Sequence, residues 1–257
     1  MTRTSIKESD NCEFAGKAVL VTGGGSGMGR ATAELLAQRG ASVCVMGRRA
    51  DKLDDVAKAI CHDGGLALAV QGDTSKAEDV ENAVARTVAE FGALHYAVNN
   101  AGISGAFLPT ADMPLDVWRH TISINLDGVF YGLKYEIPAI LKAGGGAIVN
   151  VSSVFADRGG PTVEYCSAKH ALRGLTRTAA KEYAAHGIRI NELQPGVIDT
   201  EMTQGNLEGV QKVVDRGIPL GRVGRGDEIA TAIAFLLSDD ASYITGAHLA
   251  VDGGFLI

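Results

Sequence analysis

A chain of 257 residues, 46% hydrophobic and 21% charged, carries enough apolar material for one large α/β unit and is not the composition of a disordered chain. Its formal net charge of −6 excludes the basic footprint of a nucleic-acid or anionic-membrane binder, so neither partner is expected. Cys12, Cys44, Cys61 and Cys166 are scattered, with no CxxC pair and no histidine at ligand spacing, which argues against a metal site or a disulfide framework and for a reducing, cytoplasmic setting. No stretch approaches the ~18 apolar residues of a membrane span, and the N-terminus lacks the apolar core of a signal peptide.

Residues 1–13 are polar and aperiodic and are expected to form a flexible leader, with the folded domain running from 14 to 257. Then the pattern alternates. An apolar run, Ala18 to Thr22, predicts a strand; glycines follow; Arg30 to Arg39 predicts a helix that stops at Gly40. Strands are predicted at Ser42 to Met46, Leu66 to Gln71, Tyr96 to Asn99, Ala147 to Ser152 and Ile188 to Leu193. Between them, helical patterns cover Ala50 to Cys61, Ser75 to Phe91, Leu115 to Ala143 and Ser167 to His186. Alternation of this kind implies a parallel sheet covered by helices on both faces, and no linker or composition break divides it. Thr200 to Arg225, rich in Gly and Pro, is expected to be an irregular excursion able to cover a ligand.

Thr22 to Gly29 reads TGGGSGMG, between a strand and a helix, where backbone N–H groups and the helix dipole favour a diphosphate. The spacing is TGxxxGxG, since Met28 stands where the third Gly of GxGxxG would fall. Such a loop is either a plain turn or a dinucleotide cradle, and the flanking strand and helix favour the cradle. At the end of the second predicted strand stand Gly47, Arg48 and Arg49, with no carboxylate to accept from an adenosine ribose. Two guanidiniums there favour NADP(H), with NAD(H) possible if they only solvate the helix start or pair with Asp51, Asp54 or Asp55.

Tyr165 and Lys169, four apart in YCSAK, share one helical face, so that a cation stands near a phenol whose unperturbed pKa is ~10. A tyrosine so placed serves as general acid or base. The preceding strand brings Ser152 and Ser153 to its carboxyl end, where ligands sit in open parallel sheets.

Taken in order, TGGGSGMG, GDT at Gly72 to Thr74, NNAG at Asn99 to Gly102, Asn125 in INLDGVF, VSS at Val151 to Ser153, YCSAK and QPGVIDT at Gln194 to Thr200 resemble the short-chain dehydrogenase/reductase family. The resemblance runs from about Gly16 to the C-terminus. It implies a single-domain, Rossmann-like, doubly wound parallel sheet and an oxidoreductase moving a hydride between NADP(H) or NAD(H) and a carbonyl or secondary alcohol. By it, Tyr165 is the proton donor in reduction, Ser153 bonds the carbonyl oxygen, and Lys169 holds the nicotinamide ribose and lowers the Tyr pKa. Asn125 completes a proton relay through a water. The twelve-residue interval from Ser153 to Tyr165 favours Ser153 over Ser152. Cofactor contacts are implied for Gly23, Gly25, Ser26, Gly27, Met28 and Gly29, for Arg48, Arg49, Asp73 and Thr74, for Asn100, Ala101 and Gly102, for Tyr165 and Lys169, and for Pro195, Val197, Ile198 and Thr200.

The apolar tail SYITGAHLAVDGGFLI resembles that of members whose C-terminal strand helps build a tetramer, so a homotetramer is expected. Glu164 is expected to be solvated, and Phe155 and Met202 to line an apolar substrate pocket. The six histidines are ungrouped and receive no role. The same fold also admits a cofactor-sensing regulator and a non-redox epimerase or dehydratase, against which the intact Ser, Tyr and Lys set speaks.

Overall fold

The computed structural model describes residues 12–160, 162–204 and 207–257, save the side chains of residues 207 and 216; residues 1–11 of the expected leader lie outside the described residues. In chain order the elements are β1 (Ala18–Thr22), α1 (Gly27–Gln38), β2 (Ser42–Gly47), α2 (Ala50–His62), β3 (Leu66–Gln71), α3 (Ala77–Phe91), β4 (Tyr96–Asn99) and α4 (Leu115–Ile122). They continue with α5 (Gly128–Lys142), β5 (Gly146–Val151), α6 (Val163–Tyr183), β6 (Ile188–Pro195), α7 (Glu201–Gln204), α8 (Leu207–Gly217), α9 (Gly226–Leu237) and β7 (His248–Val251). The strands form one seven-stranded sheet in the order β3-β2-β1-β4-β5-β6-β7, with every pairing parallel.

The strands read as continuous apolar runs because both faces are covered. On one face Val19, Val21, Val43 and Val45 pack against α1, α2 and α9 through Leu36, Leu53, Val56, Ile229 and Ile233. On the other, Leu20, Cys44, Met46 and Ile148 meet α3, α5 and α6 through Val80, Val84, Leu133, Ile137 and Ala180. Alternate residues of one strand therefore serve two cores. Strand order reverses between β1 and β4, and a ligand cleft opens beyond the carboxyl ends of the strands at that switch.

Three expectations change. The helical pattern Leu115 to Ala143 is two α-helices joined by a π turn, Ser123–Asp127, whose wider ring accommodates an extra residue and carries Asn125. α6 begins at Val163 rather than Ser167, because Thr162 is still extended (φ −140°) and the helix starts immediately after it. Thr200 to Arg225 is largely helical: Val210, Val214 and Ile218, four apart, make an apolar stripe that outweighs the glycines, and Val214 and Ile218 are buried.

Candidate active site

The cleft at the switch point has a volume of about 670 Å³ and is lined from the glycine loop, the β2 end, the β3 end and the β4 end. Gly23, Gly25, Ser26, Gly27, Met28, Arg48, Arg49, Asp73, Thr74, Asn100, Ala101, Gly102 and Thr200, all expected from the sequence, line it. Gly27 has φ +53°, and a Cβ there would stand 3.1 Å from Thr200 Cγ2 on the far wall. Gly29 serves the cleft from behind: a Cβ on it would fall 2.2 Å from the Gly23 carbonyl, so only glycine lets α1 approach the sheet. Ile198 is buried in the core and bridged to Gly224, and Pro195 and Val197 likewise stand outside the lining.

This cleft fits a dinucleotide. Ser26 precedes α1 without a side-chain cap, and the first turn of α1 has no acidic residue, so its leading N–H groups are left to face an anion. Thr22 Oγ1 accepts the N–H groups of Asn100 (3.0 Å) and Ala101 (3.1 Å), and Asn100 Nδ2 donates to the Thr22 carbonyl at 2.9 Å. The NNAG segment is thereby locked to the glycine loop across the switch point. Asp73 accepts from both the N–H and the hydroxyl of Ser75. Burial raises its carboxyl, but those bonds, Arg48 and Lys76 outweigh it, leaving Asp73 below the usual carboxylate range.

At the β2 end the sequence missed a participant. Arg49 Nη2 donates to Ser26 Oγ at 2.8 Å and to Glu201 Oε2 at 2.9 Å, a carboxylate 152 residues away at the start of α7. The bond to Arg49 holds the Glu201 carboxyl below its usual range. Arg48 makes no side-chain hydrogen bond or ion pair among the described residues, and lines the cleft. No local signal in the sequence could join Glu201 to Arg49; only the reach of α7 over the cleft does.

Outside the residues that line this cleft, Tyr165 and Lys169 rise from the first turns of α6, and the Lys169 ammonium lies 5.6 Å from the Tyr165 ring centroid. Lys169 is 4% exposed and donates to the Val151 carbonyl of β5 at 2.9 Å. Burial pushes its pKa down to about 8, and Glu192 pulls it up. Burial raises the Tyr165 phenol above its ordinary range; the Ser153 side chain acts to lower it, but the lowering by Lys169 expected from the sequence is not found, because burial of the phenol outweighs it. Ser153 caps the short turn Val154–Ala156, accepting from the Phe155 N–H. Ser152 instead donates to the Lys169 carbonyl at 3.2 Å, so its hydroxyl braces the helix rather than the reacting centre.

Asn125 is buried, and its amide makes a two-way bond with Ile103: Oδ1 accepts the Ile103 N–H at 2.8 Å and Nδ2 donates to the Ile103 carbonyl at 2.9 Å. Asn125 thus fixes the strand-end segment that runs from Gly102, and a Cβ on Gly102 would be 3.1 Å from Asn125 Oδ1 and 3.8 Å from Lys169 Nζ. Glu164 is not solvated as expected. It is 0% exposed, and its Oε1 accepts the Ala106 N–H at 2.6 Å, because the early start of α6 turns it under the loop after β4. Phe155 stands edge-on to Tyr165 with centroids 6.4 Å apart and edge-on to Phe255 at 6.2 Å, and Met202 lines the cleft. Phe255 comes from the C-terminal tail and was not singled out in the sequence.

Known proteins resemble this chain in sequence and fold. Residues 23–256 match the family model described as "Enoyl-(Acyl carrier protein) reductase". The chain is 46% identical over 244 residues to cyclohexanol dehydrogenase of Acinetobacter sp. (strain SE19), covering 95% of this chain and 96% of that protein. It is 45% identical over 249 residues to 2,5-dichloro-2,5-cyclohexadiene-1,4-diol dehydrogenase of Sphingobium indicum (strain DSM 16412 / CCM 7286 / MTCC 6364 / B90A), covering 95% and 98%. The crystal structure of levodione reductase matches with a TM-score of 0.90 at 38% identity, over 94% of this chain and 98% of that one. The chain belongs to the short-chain dehydrogenase/reductase family, nicotinamide-dependent oxidoreductases acting on alcohol and carbonyl groups.

Proposed function

We propose that this enzyme interconverts a secondary alcohol and a ketone on a six-membered carbocycle, with Tyr165 as the general acid and base. The observation that carries the reading is the stack at the head of α6: a half-buried phenol with the Lys169 ammonium 5.6 Å from its ring centroid and Phe155 edge-on to it, the Ser153 side chain acting on the phenol. In the reducing direction Tyr165 gives its proton to the carbonyl oxygen, and Ser153 orients that oxygen by donating a second hydrogen bond. Lys169 stabilises the tyrosinate left behind and reaches the cofactor ribose. Asn125 holds Gly102 and Ile103 in place beside Lys169, where a water can pass protons onward. The nicotinamide, when bound, supplies or accepts the hydride. Oxidation reverses each proton step.

The carbocyclic substrate is supported by the alcohols named for the relatives and by the aromatic wall of Phe155 and Phe255, apolar surfaces that suit a saturated ring. Gly23 to Gly29 would hold the diphosphate and Asp73 and Thr74 would meet the adenine, while Thr200, in the lining, would meet the nicotinamide side, with Pro195, Val197 and Ile198 supporting it from behind. Arg48 and Arg49 favour NADP(H), since Arg48 stands in the lining with its guanidinium uncommitted and a phosphate accepts bidentate bonds. Exposed Phe130 and Leu141 on α5 support a homotetramer, readable by sedimentation velocity, and the absence of a helix able to cross a membrane among the described residues is compatible with a cytoplasmic enzyme.

The test is the absorbance of reduced nicotinamide with cyclohexanol, cyclohexanone and open-chain alcohols, each run with both cofactors. Turnover of ring alcohols ahead of open-chain ones is the expected result. No turnover of any secondary alcohol or ketone would overturn the reading.

A further inference from the structure

Tyr165, Lys169 and Arg173 follow one another at four-residue intervals on α6 and form one stripe against the sheet. Arg173, two turns beyond Tyr165, has no place in the chemistry described above, yet it ties together the elements that carry that chemistry. Its Nε donates to Glu192 Oε2 on β6 at 3.2 Å, and its Nη1 donates to Asp157 Oδ1. Asp157 closes the turn that Ser153 opens. Glu192 is 1% exposed in its side chain, and its other oxygen accepts from Gln194 Nε2 at 3.1 Å. A carboxylate this deep is strongly unfavourable without partners, and here its partners come from α6 and from its own strand.

Lys169 stands one turn before Arg173, and the groups that face it are nearly all neutral. β5 presents the Val151 carbonyl, α6 presents the Tyr165 ring, and the segment after β4 presents Gly102 with Asn125 of the π turn beside it. Glu192 lies opposite Asn150 in the β5–β6 register, one residue before the Val151 carbonyl that Lys169 meets, and its charge opposes the burial that pushes the ammonium towards neutrality. Arg173 is a second cation in the same stripe, offset by Glu192 and Asp157.

We propose that Glu192 is a positioning residue of this active site, the buried counter-charge of Lys169, held in place by Arg173, which also fastens the Ser153 turn to α6 through Asp157. The proposal rests on the assignment of Tyr165 and Lys169 as the proton-transfer pair. Glu192 touches neither substrate nor cofactor and acts through Lys169.

The experiment is a carbon-13 NMR titration of the lysine ε-carbons in the free, full-length protein, with the Lys169 signal identified by its loss in Lys169→Arg. Glu192→Gln keeps the shape of the cluster and removes its charge, and the Lys169 midpoint is expected to fall by about half a pH unit or more. Arg173→Met removes a cation and leaves Glu192 to act on Lys169 alone, so the midpoint is expected to rise. It also loosens the Ser153 turn, so kcat falls about tenfold while the cofactor KM stays within about twofold. A merely structural cluster gives no such opposite movement. A Lys169 midpoint unmoved in Glu192→Gln, or moved in the same direction by both variants, overturns the proposal. Where Glu192→Gln does not accumulate folded, the double variant Glu192→Gln with Arg173→Met replaces it: a Lys169 midpoint below that of Arg173→Met supports the counter-charge, and an equal one overturns it. Because the titration needs no turnover, an inactive wild-type enzyme would overturn the assignment of the pair without being confused with either result.

Discussion

The buried set at the head of α6, proposed as the reacting end, and the exposed cleft are built on opposite principles. At the reacting end the polar groups are buried and bonded to backbone or to one another: Lys169 to the Val151 carbonyl, Asn125 to both polar atoms of Ile103, Glu164 to the Ala106 N–H. At the β2 end of the cleft, proposed above as the adenosine end, the charged groups are exposed, and Arg49 shares its guanidinium between Ser26 and Glu201 in water. Fixed geometry serves a proton transfer that tolerates little displacement, whereas a phosphate can be met by long side chains that rearrange as it arrives. The difference says that substitutions at the first end should act on kcat, and those at the second on which cofactor binds.

Tyr165→Phe tests the first half of that contrast most severely. The ring keeps its edge contact with Phe155, but the exchangeable proton is gone. A fall in kcat of about a thousandfold or more is expected, with cofactor affinity by fluorescence titration unchanged. Turnover within about tenfold of wild type would remove Tyr165 from the mechanism.

How far the sequence foretold all this depends on the separation of the partners. The parallel sheet, the glycine loop and the Tyr165 and Lys169 pair were legible, because strand alternation, loop composition and helical spacing are local patterns. The buried carboxylates were not. Glu136, Glu164 and Glu192 look like ordinary solvated acids, and each is buried only because a distant group receives it: Asn99 for Glu136, the Ala106 N–H for Glu164, Arg173 for Glu192. Burial raises the Glu136 carboxyl to about 8 even so. Glu201 is exposed, but its bond to Arg49 was equally hidden by distance, as was the early start of α6, which depends on Thr162 staying extended rather than on any stop signal in the sequence.

Glu164 gives the next largest expected effect and sharpens the contrast within the reacting end. Gly105 admits its carboxylate so closely that a Cβ would lie 2.2 Å from Oε1, so loop and carboxylate are fitted to each other. Glu164→Ala leaves the Ala106 N–H without its acceptor and frees the loop after β4. A drop in kcat/KM of roughly ten- to thirtyfold is expected, borne more by substrate KM than by kcat, since Lys169 keeps its bond to Val151 and Tyr165 its ring contacts. Equal loss in Glu164→Gln, which preserves an acceptor oxygen, would show that charge rather than loop position is what the site uses.

At the adenosine end, replacing Arg48 and Arg49 together by Gln should weaken NADPH about tenfold and leave NADH within about twofold. Equal loss for both cofactors would mean that the arginines hold the diphosphate or the fold of the β2 end. The effect is smaller than at Tyr165 because the contacts are solvated and made only when the phosphate is present.

Glu201 carries the smallest expected effect and the clearest distinction. In the free protein its carboxylate holds the guanidinium that a 2′-phosphate would need, so it competes with NADPH for Arg49 and has nothing comparable to dispute with NADH. Glu201→Gln should therefore tighten NADPH by about two- to fivefold, the range that suits an exposed ion pair, with NADH nearly unchanged. Such a gain depends on charge in water, so it should shrink as the ionic strength rises towards 1 M, where the Debye length falls to ~3 Å. If instead both cofactors tighten alike and salt has no influence, the bridge restrains α7 over the whole cleft, and the adenosine end would be governed by a moving segment rather than by competition for a single guanidinium.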